Sequence, residues 1–506
     1  MSGGLWRTFD LIAQQRGPAP ALLQGDRVVS FSDLRVQAAR MAALLLRHGV
    51  EPGDRCLFRA ANSPELAAAI LGAWMIDAIV ALVNDEAPQS HFEHAVAVTQ
   101  PKIALADAGL ADESDRSAGC VVLVLQPSDM EPATGLVGQP SHDLEPASIF
   151  FTSGSTGRPK GVTQNHATLL SGCQRVAAYL GLAANDRILC PIPWAFDYGY
   201  GQLLSTVLLG ITQVLPVARN PFSLCEAIEL HRPSIFAGLP SIFALLLRGL
   251  SPIRETDLGS IRLVTNTGGA IPPAIFADLR PLFAHGDISL NYGMTETYRS
   301  AGLPVELAAS HPRSVGYAYP GVSLAVLRDD GAEAEPDELG EIVHRGAGVF
   351  MGYWGDPEST AKILRPDPLW TRAGMAAPNA VFSGDYGWKT RDGLLVIQGR
   401  QDRLIKSMGV RVSPDEVESI LRETGLVSDV AVFGKPHEII GEMVVAAVIP
   451  MHEGQDPAPE LKALARQRMS QHMQPREYHL VQQFPLTPNG KTDFLKLRAQ
   501  LTRKAD

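Results

Sequence analysis

Residues 151–161 read FTSGSTGRPKG. Eleven positions hold three glycines, four hydroxyl side chains, one proline and two cations. Such a loop offers open backbone N–H groups, hydroxyl donors and positive charge in a small volume, which is what a polyphosphate requires of its cradle. The glycines let the backbone approach without a Cβ in the way. The pattern is not a P-loop, because Pro159 stands where that motif needs its second glycine after Gly154. A flexible Ser/Gly linker would rarely set Pro-Lys-Gly after the hydroxyl run and then resume an apolar helix. Thr152, Ser153, Gly154, Ser155, Thr156 and Lys160 are therefore expected to hold phosphate. A second candidate cation is Lys491, which closes Thr487-Pro488-Asn489-Gly490-Lys491. A turn of that composition projects its lysine outward.

The loop resembles the phosphate-binding signature of the adenylate-forming superfamily. That superfamily holds acyl- and aryl-CoA synthetases, amino-acid adenylation domains and luciferases. Further signatures follow in the superfamily's order: Asn291-Tyr292-Gly293-Met294-Thr295-Glu296, Ser383-Gly384-Asp385, the run GRQDRLIK over 399–406, and Pro488-Asn489-Gly490-Lys491. The resemblance spans nearly the whole chain.

It implies a definite chemistry. A carboxylate is a poor electrophile because its charge repels nucleophiles. Joined to AMP it becomes a mixed anhydride that a thiol can attack. The enzyme must hold two anions together and stabilise the charge on departing pyrophosphate. That calls for positioning and cations more than for an acid–base pair. By resemblance, Lys491 bridges the carboxylate and the α-phosphate. Glu296 is the implied Mg²⁺ ligand, Thr295 offers a hydroxyl to the α-phosphate, and Tyr292 sets a ring against adenine. Asn291 and Gly293 belong to the same run. Gly268-Gly269-Ala270 resembles the loop under adenine. Asp385 and Arg400 fall on the ribose hydroxyls. Asp402 matches the hinge about which the small domain rotates between half-reactions. Lys406 and Gly409 then line the thiol tunnel, Gly409 leaving room for pantetheine. The implied cofactors are ATP and Mg²⁺, with a phosphopantetheine thiol, on a carrier protein or CoA, as co-substrate.

The acid pocket gives two conflicting signals. Pro193-Trp194-Ala195-Phe196-Asp197-Tyr198 falls where the superfamily places its gating aromatic, and Phe196 matches that gate. Asp197 then aligns with the aspartate that binds the substrate ammonium in amino-acid-activating members. A buried carboxylate needs a partner, which is a substrate ammonium or a neighbouring Arg or backbone group. Tyr198, Gly238, Asn266 and Thr267 are further candidates for the pocket wall. Against the amino-acid reading, Ser413-Pro414 after the hinge run resembles acyl-CoA ligases, where modular amino-acid domains usually show Leu-Gly. The expectation is a stand-alone amino-acid adenylation enzyme serving a carrier protein. The alternative is an AMP-forming acyl- or aryl-CoA synthetase. Nothing in the sequence selects for a luciferase-like oxygenase. Lys160, Glu296 and Lys491 together argue against a dead nucleotide-binding protein.

These residues need a scaffold. The chain has 506 residues, too many for one ordinary core. Helical and strand patterns alternate through the first part: an amphipathic helix over 32–48, strands over 54–58, 79–82, 188–191, 235–237, 261–265 and 288–290. That alternation predicts parallel-rich sheets flanked by helices. Short strands over 322–327 and 340–344 suggest a small β subdomain. After Gly399 a compact α+β unit follows, its first helix announced by Ser413-Pro414-Asp415-Glu416, with an N-cap, Pro at the first helical position and Glu near the start. The expected fold is an α/β large domain over 1–400 and a small mobile α+β domain over 401–506. Asp77 stands where many relatives have Gly before a strand.

Composition excludes other classes. Hydrophobic content of 45% and charged content of 19% describe a globular protein. A net charge of −10 with no basic stripe argues against a nucleic-acid partner. Five cysteines without a Cys-x-x-Cys pair disfavour a disulfide frame or zinc site, which fits a reducing cytoplasm. The apolar stretch 66–83 carries Asp77 inside it and reads as a buried helix running into a strand rather than a membrane span.

Overall fold

The computed structural model describes residues 4–110, 120–126, 138, 141–153, 159–311, 313–401, 403–408, 410–437, 439–452, 454–486 and 492–502. The chain divides into two compact units. One comprises Met1–Ile271, Ile275–Ala325 and Val343–Phe382, the other Pro272–Ala274, Val326–Ile342 and Ser383–Asp506.

Two sheets carry the first unit. One has seven strands, in the order Gly352–Tyr353, Pro159–Asn165, Pro146–Ser153, Ile79–Val83, Arg55–Arg59, Ile103–Ala106 and Val121–Val124. Its centre is parallel, and the strand Pro146–Ser153 turns back antiparallel into Pro159–Asn165. The FTSGSTGRPKG run thus begins in one of two hydrogen-bonded strands and ends in the other. In the other sheet the parallel run is Pro20–Gln24, Thr212–Leu215, Arg187–Leu189, Ile235–Gly238, Leu263–Asn266 and Asp287–Tyr292. Register pairs Gly238 with Asn266 and Asn266 with Leu290, so the carboxyl ends of these strands lie level. Open parallel sheets bind ligands at that edge.

The apolar stretch 66–83 folds as expected. Helix Pro64–Met75 starts at Ser63, whose side chain accepts from Leu66 N–H, and it is buried on all sides except at Glu65. It packs on helix Phe31–Arg47 so closely that a Cβ at Gly72 would lie 2.8 Å from the Ala38 carbonyl oxygen. The chain then turns at Asp77 with φ +60 and enters strand Ile79–Val83. That left-handed conformation explains why glycine suits the position and why Asp, which tolerates it better than most residues, can replace it. Among the described residues no helix is long and apolar enough to cross a membrane.

In the second unit, five strands form a sheet: Val410–Val412, Ile405–Ser407, Gly441–Pro450, Val427–His437, with Glu477–Leu480 on Gly441–Pro450. Helices Pro414–Arg422 and Ala458–Arg468 bury Val417, Leu421, Leu461 and Ala465 against one face of it. The Ser413 side chain accepts from Glu416 N–H and caps the first helix as its sequence predicts.

Candidate active site

The strand Pro159–Asn165, which begins with the last residues of the FTSGSTGRPKG run, carries Lys160. The Lys160 ammonium lies 5.0 Å from the centre of the Tyr353 ring. Tyr353 Oη donates to Glu296 Oε1 at 2.8 Å, and Glu296 is buried. Gln164 on the same strand donates from Nε2 to the Thr295 carbonyl at 2.7 Å. Lys160, Thr295 and Glu296 are therefore one neighbourhood. Thr152 stands opposite Lys160 in the hairpin register. The side chain of Ser153, and all of Gly154, Ser155 and Thr156, lie outside the described residues.

The run from Asn291 to Glu296 leaves strand Asp287–Tyr292 and folds back, Ser300 N–H donating to the Tyr292 carbonyl at 2.9 Å. Gly293 permits this return, because a Cβ there would lie 3.0 Å from Arg299 Cα. Asn291 ties two strand ends together. Its Nδ2 donates to Thr265 Oγ1 and the Asn266 carbonyl, both at 3.1 Å, and its Oδ1 accepts from Tyr319 Oη at 2.7 Å. Beyond strand Leu263–Asn266, Gly268 takes φ +78, and Asn266 Nδ2 donates to the Gly269 carbonyl at 3.0 Å, shaping the loop that continues into Ala270. Asn266 Oδ1 and Thr267 Oγ1 are buried with no hydrogen-bond partner among the described residues.

Asp197 opens helix Asp197–Leu209, with Phe196 as its N-cap. A carboxylate in a first helical turn is favoured by the helix dipole. Arg299 is the neighbouring Arg that the sequence left open as an alternative partner. Its guanidinium lies 3.9 Å from Asp197 Oδ2, with side-chain exposures of 7% for Arg299 and 23% for Asp197, so charge is compensated inside the protein. The same guanidinium stacks 4.8 Å from the Tyr198 ring centre and donates to the Tyr298 carbonyl. Tyr198 Oη donates to the Thr265 carbonyl at 2.8 Å, and burial pushes its phenol well above the usual range, so it stays neutral. Gly238 ends strand Ile235–Gly238, where the missing Cβ makes room for the Phe243 ring.

In the second unit Asp385 and Arg400 pair across a hairpin, Arg400 Nη1 standing 3.7 Å from Asp385 Oδ1. Ser383 Oγ accepts from Asp385 N–H at 3.0 Å. Lys406 lies on the exposed side of strand Ile405–Ser407, its N–H donating to Glu442. Asp402, Gly409 and Lys491 lie outside the described residues.

Comparison with known proteins decides the family. The AMP-binding enzyme model matches residues 9–354, and the AMP-binding enzyme C-terminal domain model matches 416–491. The chain belongs to the AMP-binding enzymes. It is 28% identical to 3-hydroxybenzoate–CoA ligase of Aromatoleum sp. strain CIB, over 97% of this chain and 95% of that protein. It is also 28% identical to a linear gramicidin synthase of Brevibacillus parabrevis, over 96% of this chain but 6% of that much longer protein. The o-succinylbenzoate CoA synthetase of Bacillus subtilis, solved with its acyl-adenylate, superposes with a TM-score of 0.87 at 24% identity over 98% of both chains. As an AMP-forming acid–thiol ligase, the enzyme has the fold its sequence predicts: an α/β large domain and a smaller C-terminal domain.

Magnesium is the metal that the adenylate-forming chemistry implies, and the Bacillus synthetase has also been solved with ATP and a magnesium ion. Among the described residues no cluster of three or more His, Cys, Asp and Glu could hold a metal alone. Glu296 contributes one buried carboxylate, so a hard cation here must take its other oxygens from phosphate and water, the usual arrangement for magnesium. The donor set fits a metal that arrives with the nucleotide. No motif read from the sequence singles out Arg299 or Tyr353. Tyr353 does lie in a glycine-rich stretch, with Gly346, Gly348 and Gly352 before it and Gly355 after it, but each residue acquires its partner only through the fold.

Proposed function

We propose that the enzyme activates a small aromatic carboxylic acid without an ammonium group and passes the acyl group to the thiol of CoA. The carrying observation is the Asp197–Arg299 pair. An aspartate already facing a buried guanidinium does not need a substrate ammonium to balance it. This ranks the CoA synthetase reading above amino-acid activation for a carrier protein. The full-length match to a CoA ligase supports it, as does Ser413-Pro414.

In this reading Thr152, Ser153, Gly154, Ser155, Thr156 and Lys160 hold the triphosphate. Gly268, Gly269, Ala270, Asn291, Tyr292 and Gly293 seat adenine, and Asp385 and Arg400 engage the ribose. Phe196, Asp197, Tyr198, Gly238, Asn266 and Thr267 enclose the acid. A carboxylate oxygen attacks the α-phosphorus, the bond to the bridging oxygen breaks, and pyrophosphate departs. Lys491 and Thr295 stabilise the charge on the α-phosphate. Glu296 would hold magnesium, which when bound would offset phosphate charge. The CoA sulfur, having lost its proton to solvent, then attacks the acyl carbonyl and AMP leaves. The large domain over 1–400 and the small one over 401–506 turn about Asp402 between these steps, exchanging Lys491 for the segment with Lys406 and Gly409.

A panel of benzoates, cinnamates and amino acids, scored for pyrophosphate release and for acyl-CoA, tests this. Aromatic acids should be consumed with CoA. Preference for an amino acid, with release of pyrophosphate but no acyl-CoA, would return the assignment to carrier-protein loading.

A further inference from the structure

Tyr353 stands between the two charged groups that the proposed mechanism sets around the triphosphate. Its hydroxyl meets the Glu296 carboxylate at 2.8 Å and its ring face meets the Lys160 ammonium at 5.0 Å. The chain is fixed on both sides of Tyr353. Gly352–Tyr353 pairs with Val162 and Thr163, on the strand that carries Lys160. Met351 N–H donates to the Thr163 carbonyl at 2.9 Å and Trp354 N–H to the Gly161 carbonyl at 2.7 Å. Tyr353 N–H itself donates to Thr360 Oγ1 at 2.9 Å. On the other flank Phe350 N–H donates to the Glu296 carbonyl at 3.0 Å, and the Phe350 ring stands 5.3 Å from that of Tyr353, edge to face. One segment therefore grips both the strand after the phosphate loop and the backbone of the metal-ligand candidate.

We infer that Tyr353 is a positioning residue with two separable functions. Its hydroxyl donates to one oxygen of Glu296 and so fixes the plane in which the carboxylate meets the magnesium brought by ATP. Its ring holds the Lys160 ammonium by cation–π attraction at the height of the phosphates. The inference rests on the reading of Glu296 as the metal ligand and Lys160 as a phosphate ligand. Outer partners of ligating carboxylates tune metal affinity because they set the ligand's orientation.

The test needs no turnover. Binding of α,β-methylene-ATP, which cannot form the adenylate, is followed by calorimetry with and without MgCl₂. In Tyr353→Phe the ring remains on Phe350 and Lys160. The magnesium concentration for half-maximal enhancement of binding should rise about tenfold, the lower end of the range for such partners. Metal-free affinity should stay at the wild-type value. In Tyr353→Leu, which loses the ring too, metal-free affinity should also fall. Glu296→Gln supplies the reference, and adding Tyr353→Phe to it should cause no further shift in magnesium dependence. If Glu296→Gln shifts the magnesium midpoint and Tyr353→Phe does not, the inference about Tyr353 is wrong. Equal weakening with and without metal in Tyr353→Phe also overturns it, since a general packing defect behaves that way. If Glu296→Gln itself leaves the midpoint unmoved, the metal reading of Glu296 fails instead.

Discussion

Arg299 changes what Asp197 means. A carboxylate and a guanidinium in a largely buried site are costly separately and tolerable together. Arg299→Met should remove the buried countercharge of Asp197 and raise KM for the aromatic acid roughly five- to 150-fold, about 1–3 kcal/mol of lost binding. Removing both charges in Asp197→Asn/Arg299→Met should recover part of that loss, because the double change takes the carboxylate charge away with its countercharge. Steady-state kinetics of the four variants checks this, and simple addition of the two losses would mean the residues act independently. Lys491 makes the other prediction at this scale. Lys491→Ala should slow adenylate formation by about a hundred- to a thousandfold, the effect of losing one preorganised cation. Thioester formation from supplied acyl-adenylate should be spared, and equal loss in both half-reactions would contradict the division of labour. The sequence announces Lys491 because its whole local context is distinctive. It does not announce Arg299, whose meaning arises only when the return after Gly293 brings it against the helix that Asp197 begins.

Elements show where sequence periodicity suffices and where it does not. The parallel strands follow from apolar patterns and appear within a residue or two of their expected bounds, and the buried helix expected in the stretch 66–83 appears as Pro64–Met75. Joints between elements are not legible, because they use single polar side chains. His166 is one such joint. It begins helix His166–Leu180, and its Nδ1 accepts from Leu5 N–H at 3.2 Å, fastening helix Gly4–Arg16. Burial pulls its imidazole down to about 4, against the opposite effect of Glu145 and Asp143. His344 is a second. Its Nδ1 meets Ser300 Oγ and its Nε2 the Ala347 carbonyl, and burial likewise lowers it to about 4. Both are neutral in the folded protein. Unfolding restores an ordinary value near 6.5, so the unfolded chain binds more protons between about pH 4 and pH 6.5. Stability from each is full above pH 6.5 and is lost as pH falls toward 4, by at most roughly 3 kcal/mol. Urea denaturation from pH 7.5 to 4.5 should show this decline. His166→Asn keeps an acceptor for Leu5 N–H without a titrating ring, and its decline should be shallower than wild type. An unchanged slope would assign the acid sensitivity elsewhere.

At the scale of the whole molecule the question is where the chain can turn. The family models stop at Trp354 and resume at Glu416, and the GRQDRLIK run lies between them. Arg403, next to the proposed pivot, is held within the small domain. Its guanidinium donates to Asp415 at 2.7 Å and Glu418 at 2.9 Å, and lies 3.9 Å from the centre of the Phe494 ring. Glu418 is buried and also accepts from Val432 N–H. These contacts root the chain immediately after position 402 in the helix and sheet that follow. In the proposed reading the turn between domains is absorbed at Asp402, where a change of φ and ψ leaves those side-chain contacts in place and gives up the bonds from Arg403 and Leu404 N–H to the Arg400 carbonyl, both at 3.0 Å. Asp402→Pro fixes φ near −65° and should arrest the molecule in one of its two working arrangements. If the arrested form is the one that presents Lys491, pyrophosphate release in the absence of CoA continues while acyl-CoA formation collapses. Arg403→Ala is the complementary variant. It leaves the pivot's backbone free but loosens its root, so both half-reactions should slow together. Single-turnover measurements of adenylate and thioester formation separate the two outcomes. Asp402→Pro running both steps at wild-type rates would place the pivot elsewhere between Trp354 and Glu416.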